Sequence, residues 1–151
     1  LYYKYGMQCK NKFVADWFEF NLNINNILTA LTCRKYGWDI KSAIVGDNVV
    51  AETIRGSVSA RDFNLKSEID YFDALVSISE TSNLLDREHR IDALRWNWLE
   101  ENTFFSSFSI EKVLSFWLRC ELMHRWDNLT MEEGAEIFRQ MINDLKKDVK
   151  F

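Results

Sequence analysis

Residues 11–37 read NKFVADWFEFNLNINNILTALTCRKYG, and their pattern predicts the central helix of the fold. Large apolar side chains recur in it at intervals of four and three residues, the spacing that lines one face of a helix. They are Phe13, Trp17, Phe20, Ile24, Ile27 and Leu31. Gly37 follows, and glycine adopts the left-handed conformation that ends a helix without a steric penalty. We therefore predict a helix over 11–36, roughly 39 Å long at 1.5 Å per residue, a length typical of a scaffold.

The rest of the chain also predicts helices. Proline is absent from all 151 residues, which favours helices joined by short turns over loops and sheet edges. No segment alternates between apolar and polar residues for long enough to indicate a strand. Apolar periodicity and capping residues predict further helices over 40–45, 48–55, 67–81, 84–102, 110–127 and from Thr130 onward. The predicted fold class is all-α, a helical bundle of about six helices built on the long N-terminal helix.

Capping residues set the ends of the two short helices. Asp39 and Asp47 are predicted to cap the starts of these helices, and Gly46 and Gly56 to end them. Residues 57–66 lose the helical pattern and predict an ordered loop.

Capping signals also mark the last two helices. Ser109 is predicted to cap the helix over 110–127, and Thr130 opens the last helix with the capping box TMEE. Along 110–127, Cys120 is predicted to be a small core residue and His124 to lie at the edge of the core. The last helix is expected to bury Ile137, Phe138, Met141, Ile142 and Leu145.

Length, charge and composition narrow the classes of protein to which the chain can belong. The 151 residues predict a single all-helical domain over 1–151, and the start at Leu1 predicts the C-terminal part of a longer chain. A net charge of −4 argues against nucleic acid as a partner, because phosphate binding needs a basic face. No run of 18 apolar residues is present, so we predict no direct membrane insertion. Three dispersed cysteines predict a reducing cytoplasm.

One motif suggests chemistry. Glu121-Leu122-Met123-His124 places a carboxylate and an imidazole at the helical spacing used by di-iron carboxylate bundles. Asp86 and His89 are the only comparable pair, and they lie on the face expected to be solvated. We therefore predict no catalytic residue, no metal, no cofactor and no enzymatic activity, and keep a carboxylate/His metal-binding bundle enzyme as the least favoured alternative.

Two tryptophans are candidates for partner contact. Trp96 and Trp98 point to different faces of one helix, and Trp98 continues the apolar stripe, so Trp96 packs in a second layer or contacts a partner. Trp38 follows the helix-ending Gly37 and either packs back over the helix end or meets a partner.

Three segments resemble a known family. Residues 23–37 (NINNILTALTCRKYG) are similar to the long-helix segment of the C subunit of V-type (archaeal-type) ATP synthases. Residues 108–118 (FSIEKVLSFWL) and 129–133 (LTMEE) are similar to its closing helices, where Phe-x-Ile-Glu leads into a helix and Leu-x-x-Glu-Glu caps the next. Across most of 11–145 the chain resembles more closely a family of uncharacterised bacterial proteins encoded with V-type ATP synthase genes.

The resemblance implies a non-catalytic adaptor. The C subunit is a funnel of three-helix bundles between the membrane rotor ring and the central axle, so the implied partners are V-type ATP synthase subunits of the rotor ring or axle. The implied location is the cytoplasm, peripheral to the membrane through the ATP synthase. The chain is shorter than a complete C subunit, and the family supplies no catalytic residue to carry over. The alternative is a free-standing helical protein-interaction module.

Overall fold

The computed structural model describes residues 2–127 and 131–148, and in the last helix it describes side chains from 134 to 146. These residues contain eight helices and no strand. The helices are α1 (Tyr2–Met7), α2 (Lys12–Tyr36), α3 (Ile40–Ala43), α4 (Val49–Gly56), α5 (Phe72–Ser79), α6 (Leu84–Glu101), α7 (Ile110–Asp127) and α8 (Met131–Asp148). The all-α prediction is confirmed, with eight helices in the described residues where about six were predicted.

The chain folds as two compact units, Leu1–Asn102 and Thr103–Phe151. We call them the N-terminal unit, which contains α1 to α6, and the C-terminal unit, which contains α7 and α8. The prediction of a single domain over 1–151 stays a prediction.

Helix α2 begins and ends as its sequence predicts. The Asn11 side chain accepts a hydrogen bond from the backbone N–H of Val14 at 3.2 Å and caps the N-terminus. Gly37 adopts the left-handed conformation, with φ of 70°. The N–H of Trp38 then donates to the carbonyl of Cys33 at 2.8 Å, so that the chain turns away from the helix.

The core of the N-terminal unit is built around α2. This helix contacts α1, α3, α4 and α5. Near one end of the core the ring of Phe20 stacks on Trp98, with centroids 5.1 Å apart, and meets Tyr71 edge-on at 5.1 Å. The fully buried apolar side chains of this unit include Leu22, Ile24, Ile27, Ile54, Phe63, Leu65, Leu75 and Ile78.

Glycine permits the close packing of α1 on α2. A Cβ atom at Gly6 would lie 2.2 Å from the ring carbons of Phe18, closer than real side chains approach. Gly6 is accordingly the buried residue of α1.

A buried asparagine decides where α3 ends. The predicted helix over 40–45 stops at Ala43. The side chain of Asn26 donates to the carbonyl of Val45 at 2.8 Å and accepts from the N–H of Val45 at 3.0 Å. Both backbone groups of Val45 are therefore used by α2, so Val45 is not part of α3.

Helix α4 is shifted from its predicted position by one residue. Asn48, and not Asp47, caps its start, because the Asn48 side chain accepts from the N–H of Ala51 at 3.3 Å. Gly56 is the last residue of the helix, and Ser57 is the residue that caps its end.

The side chain of Arg34 organises the loop predicted over 57–66. Its guanidinium donates to the carbonyls of Val58 at 3.0 Å, Ala60 at 2.7 Å and Arg61 at 2.6 Å. It also lies over the ring of Phe63, 3.7 Å from the centroid. Burial lowers the pKa of this guanidinium. The ordered loop is confirmed, and one side chain of α2 satisfies three of its carbonyls.

The helix predicted over 67–81 is shorter than expected. Helix α5 covers Phe72–Ser79, and residues 67–70 form turns. The N–H of Ile69 donates to Leu65 and the N–H of Phe72 donates to Ile69, so these residues make separate turns. Ile69 is buried although it lies in a turn. Its apolar side chain therefore matches the spacing of a helix without belonging to one.

A partly buried polar cluster lies beside the core. The side chain of Asn48 donates to Asn23 at 2.8 Å and to Glu19 at 3.1 Å. Tyr71 is also close to Asn23, and burial raises the pKa of Tyr71 to about 12, against the opposite effect of its hydrogen bond with Asn23. The tyrosine is therefore held in its neutral form.

Helix α6 begins at the predicted residue Leu84, and helix α7 begins after its predicted cap, Ser109. Asn83 accepts from the N–H of Leu85 at 2.9 Å at the start of α6, and Ser109 accepts from the N–H of Lys112 at 3.2 Å at the start of α7. The predicted cap at Thr130 lies outside the described residues.

The burial predicted for α7 and α8 is wrong. All five side chains expected to be buried in α8 are exposed, from Ile142 at 36% to Leu145 at 65%. In α7, His124 is exposed and Cys120 is only half-buried. Periodicity gives the face of a helix that is apolar, but the neighbour that would cover this face must come from tertiary structure.

Candidate partner-binding surfaces

A turn before α7 carries three aromatic side chains into solvent. Phe104, Phe105 and Phe108 lie in residues 103–109, and Phe105 and Phe108 have relative exposures of 93% and 108%. The rings of Phe104 and Phe105 pack edge to face, with centroids 4.9 Å apart. Aromatic rings at this exposure are costly in water, so this turn is a candidate surface for contact with a partner.

Hydrogen bonds hold this turn in place. The N–H of Ser106 donates to the carbonyl of Thr103 at 3.2 Å, and the Lys112 Nζ atom donates to the same carbonyl at 3.1 Å. The Thr103 hydroxyl donates to the Ser115 hydroxyl at 3.3 Å, and both residues are fully buried. The aromatic rings therefore project from an ordered turn.

Phe108 has an unusual backbone conformation. Its φ is 57°, in the left-handed region that favours glycine. A bulky residue in this region costs free energy, and such strain is retained where surrounding structure or function requires it. The side chain of Phe108 gains no burial in return, which singles it out within the turn.

The first turns of α7 extend the exposed apolar area. Ile110, Val113 and Trp117 lie at helical spacing on one face, and all three are exposed, as is Phe116. We call the whole set the aromatic surface. Its members are Phe104, Phe105, Phe108, Ile110, Val113, Phe116 and Trp117.

The size of the aromatic surface matches one side of an interface. Fully burying an aromatic side chain removes roughly 150–250 Å² from water, so its five aromatic residues offer on the order of 750 Å² at the lower end of this range. This exceeds the roughly 300–600 Å² of the largest patch on a typical monomer and approaches the roughly 800 Å² that each partner buries in a standard interface. The sequence analysis missed this surface, although the closely spaced Phe104, Phe105 and Phe108 outside any helical pattern were a usable signal.

Trp38 is exposed at the end of α2. Its side chain is 62% exposed, and its ring stacks on the ring of Tyr36 with centroids 5.3 Å apart. The two aromatic rings cover part of the helix end and still present a flat apolar face. The prediction that Trp38 contacts a partner stays a prediction.

A groove in the N-terminal unit lies next to Trp38. It has a volume of about 490 Å³, and Trp38 is part of its wall. Leu28 and Ile91 contribute apolar lining from α2 and α6, and Arg87 and Glu88 contribute opposite charges. Arg87 and Glu88 form an ion pair with each other, with 3.8 Å between nitrogen and oxygen.

Trp96 is half-buried, which leaves its predicted role open between a second packing layer and a partner contact. Trp98 is confirmed as the inward member of the pair, because its ring packs against Phe13 and Phe20 with centroids 5.6 and 5.1 Å apart.

The residues proposed for the metal-binding alternative do not come together in the part of the chain that the structure describes. Glu121 and His124 are exposed on α7, and Asp86 and His89 are exposed on α6. Among residues 2–127 and 131–148, no three side chains of His, Cys, Asp or Glu come together in a group able to hold a metal ion.

Within the part of the chain that the structure describes, every helix is too short or too polar to span a bilayer.

Comparison with known proteins gives one result. A family model described as "Protein of unknown function (DUF2764)" matches residues 1–149. The chain belongs to this family. The DUF2764 match spans both compact units, so the aromatic surface and the groove beside Trp38 both lie inside it. No curated protein and no solved structure matches the chain.

Proposed function

We propose that this DUF2764 protein is a non-catalytic helical adaptor, a component of the central stalk of a V-type ATP synthase that is similar to its C subunit. It contacts the rotor ring or the central axle through the aromatic surface. In this proposal the protein acts in the cytoplasm and is peripheral to the membrane through the ATP synthase.

The aromatic surface carries the proposal that the protein binds a partner protein. Phe105 and Phe108 project from a turn that buried hydrogen bonds hold in place, so little conformational freedom is lost when they are covered. Aromatic side chains are enriched among the residues that dominate binding energy at interfaces. The described residues present this surface without a metal ligand set beside it.

The identity of the partner rests on sequence resemblance. Residues 23–37 and 108–118 resemble segments of the V-type ATP synthase C subunit, and both lie on elements that matter here. The first forms the C-terminal half of α2, and the second runs from Phe108 into α7. The resemblance to the closing helices of that family thus includes part of the aromatic surface.

The test is affinity capture of the tagged full-length protein from solubilised native membranes, followed by mass spectrometry. We expect rotor-ring or axle subunits in near-stoichiometric amounts. The double variant Phe105→Ser and Phe108→Ser should reduce this recovery at least about tenfold, since two anchor residues at an interface each contribute roughly 1–2 kcal/mol or more.

The matched control is Tyr5→Ser, which removes an aromatic side chain of 82% exposure from α1. This variant should capture the same subunits as the wild type. Recovery of no ATP synthase subunit from membranes whose ATP synthase stays intact would refute the adaptor proposal. Recovery of another protein that the double variant loses would replace it with the free-standing interaction module.

Trp38 and Trp96 are the secondary contacts of this proposal. Trp38→Ala should weaken capture less than the double variant, because the stacked Tyr36 ring remains in place. Trp96→Ala must be read together with a stability measurement, because the ring is half-buried and its loss can also lower stability.

A further inference from the structure

The apolar face of α8 is uncovered. Every side chain that the structure describes between 134 and 146 is exposed. Phe138, Met141 and Leu145 are each at least 60% exposed, and Ile137 is 57% exposed. A helix with one apolar face is stable in water only when another element covers that face.

The spacing on α8 fits pairing with another helix. Ala135, Phe138, Ile142 and Leu145 recur at intervals of three, four and three residues, the repeat that forms the seam of two paired helices. This is the same repeat that α2 uses to build the core of the N-terminal unit.

The repeat is complementary to its own reversed copy. When two α8 helices run antiparallel about an axis at residue 140, Phe138 of one copy faces Ile142 of the other. In the next layer Ala135 faces Leu145, so a small residue meets a large one. Each contact occurs twice around the two-fold axis, as an interface between identical chains requires.

We propose that α8 pairs antiparallel with α8 of a second copy of this chain, so that the protein is a dimer. The five exposed apolar side chains of α8 set an upper limit of about 500 Å² on each copy, scaled from the roughly 150–250 Å² of an aromatic side chain. The dimer would therefore bury at most about 1,000 Å², at the lower limit for a specific interface, so we expect it to form reversibly.

Sedimentation of the purified chain of residues 1–151 tests the dimer without any other partner. Between about 1 and about 100 μM, a range that covers micromolar dissociation constants, the mass should rise from 18.0 kDa toward twice that value. Leu145→Glu places a charge in the seam and should raise the dissociation constant at least about tenfold. Gln140→Glu, on the opposite face of α8, is the matched control and should leave it unchanged.

A chain that stays monomeric at every concentration overturns the proposal, and so does a dimer that Leu145→Glu leaves intact. Because the measurement uses pure protein, its failure is separate from failure of the adaptor function. Circular dichroism shows whether the Leu145→Glu chain is folded, and a folded, dimeric Leu145→Glu chain counts against the seam.

Spin-label distances test the orientation. Gly134 has open space around it and Gln140 is exposed on the face opposite the seam, so Gly134→Cys and Gln140→Cys each accept a label in a chain with Cys9→Ser and Cys120→Ser. In the antiparallel pair, two labels at 134 lie about 18 Å apart along the axis and two at 140 lie level with each other, from a rise of 1.5 Å per residue. Labels that lie level with each other at both positions would indicate a parallel pair and overturn the proposed arrangement.

Discussion

Helices α2 and α8 share one apolar repeat and have opposite environments. In α2, Phe20, Ile24 and Ile27 follow intervals of four and three residues and are buried. In α8, Phe138 and Leu145 follow the same kind of repeat and are more than 60% exposed. The difference lies in the neighbours, since the five other helices of the N-terminal unit all contact α2. An apolar repeat therefore indicates which face needs a partner, and the partner can lie within the chain or outside it.

The largest expected difference between the two units concerns two phenylalanines. Phe20→Ala removes a buried ring that packs on Trp98 and Tyr71, and should lower the free energy of unfolding by about 3–5 kcal/mol. Phe105→Ala removes a ring of 93% exposure and should change it by less than about 0.5 kcal/mol. Urea unfolding followed by circular dichroism measures both values. Similar losses for the two variants would mean that Phe105 is part of a core.

The second prediction concerns the side chain that organises the loop over 57–66. Arg34→Ala removes hydrogen bonds to the carbonyls of Val58, Ala60 and Arg61, and should cost about 2–3 kcal/mol of unfolding free energy, the range for bonds to a charged group. Lys35→Ala, at the next position, is the control. Hydrogen exchange should increase at the loop amides of the Arg34→Ala chain, and unchanged exchange there would contradict the assigned role.

The third prediction uses pH to probe the core of the N-terminal unit. Burial raises the pKa of Tyr71 to about 12, above the roughly 10 of an unfolded chain. Between these values the unfolded chain has lost a proton that the folded chain keeps, so stability falls as pH rises through this window. The full effect is roughly 2–3 kcal/mol and is absent well below pH 10, where tyrosine is neutral in both states.

Tyr71→Phe should remove the part of the loss of stability at alkaline pH that comes from ionisation of this tyrosine. The measurement is the difference in unfolding free energy between wild type and variant at pH 8 and at pH 11. If the difference in unfolding free energy between wild type and variant does not change with pH, the pKa of Tyr71 is not raised by folding.

The smallest predicted effects compare two helix caps. Asn11→Ala removes the cap of α2 and Ser109→Ala removes the cap of α7, each at a cost of about 1 kcal/mol. Asn11→Ala should lower the stability of the N-terminal unit, whereas Ser109→Ala should increase hydrogen exchange only in α7. If Ser109→Ala also lowers the protection of α2, the two units unfold together and not as separate cooperative parts.

The helices were more predictable than their contacts. Asn11, Gly37, Asn83 and Ser109 act through neighbours a few residues away, so the ends of α2, α6 and α7 follow from local sequence. The end of α3 does not, because it depends on Asn26, 19 residues from Val45 along the chain. Candidate surfaces were only partly predictable. Trp38 is exposed, which its interpretation as a partner contact required. The aromatic turn over 103–109 has no periodic pattern that could have identified it in the sequence.

The all-α class, the long central helix and most helix ends follow from local sequence, because capping and apolar spacing are properties of neighbouring residues. Long-range packing sets which apolar faces are covered, how Arg34 fixes the loop and that Phe108 faces solvent in a left-handed conformation. The physical reason is that burial depends on residues far apart in sequence, whose approach the local pattern leaves undetermined.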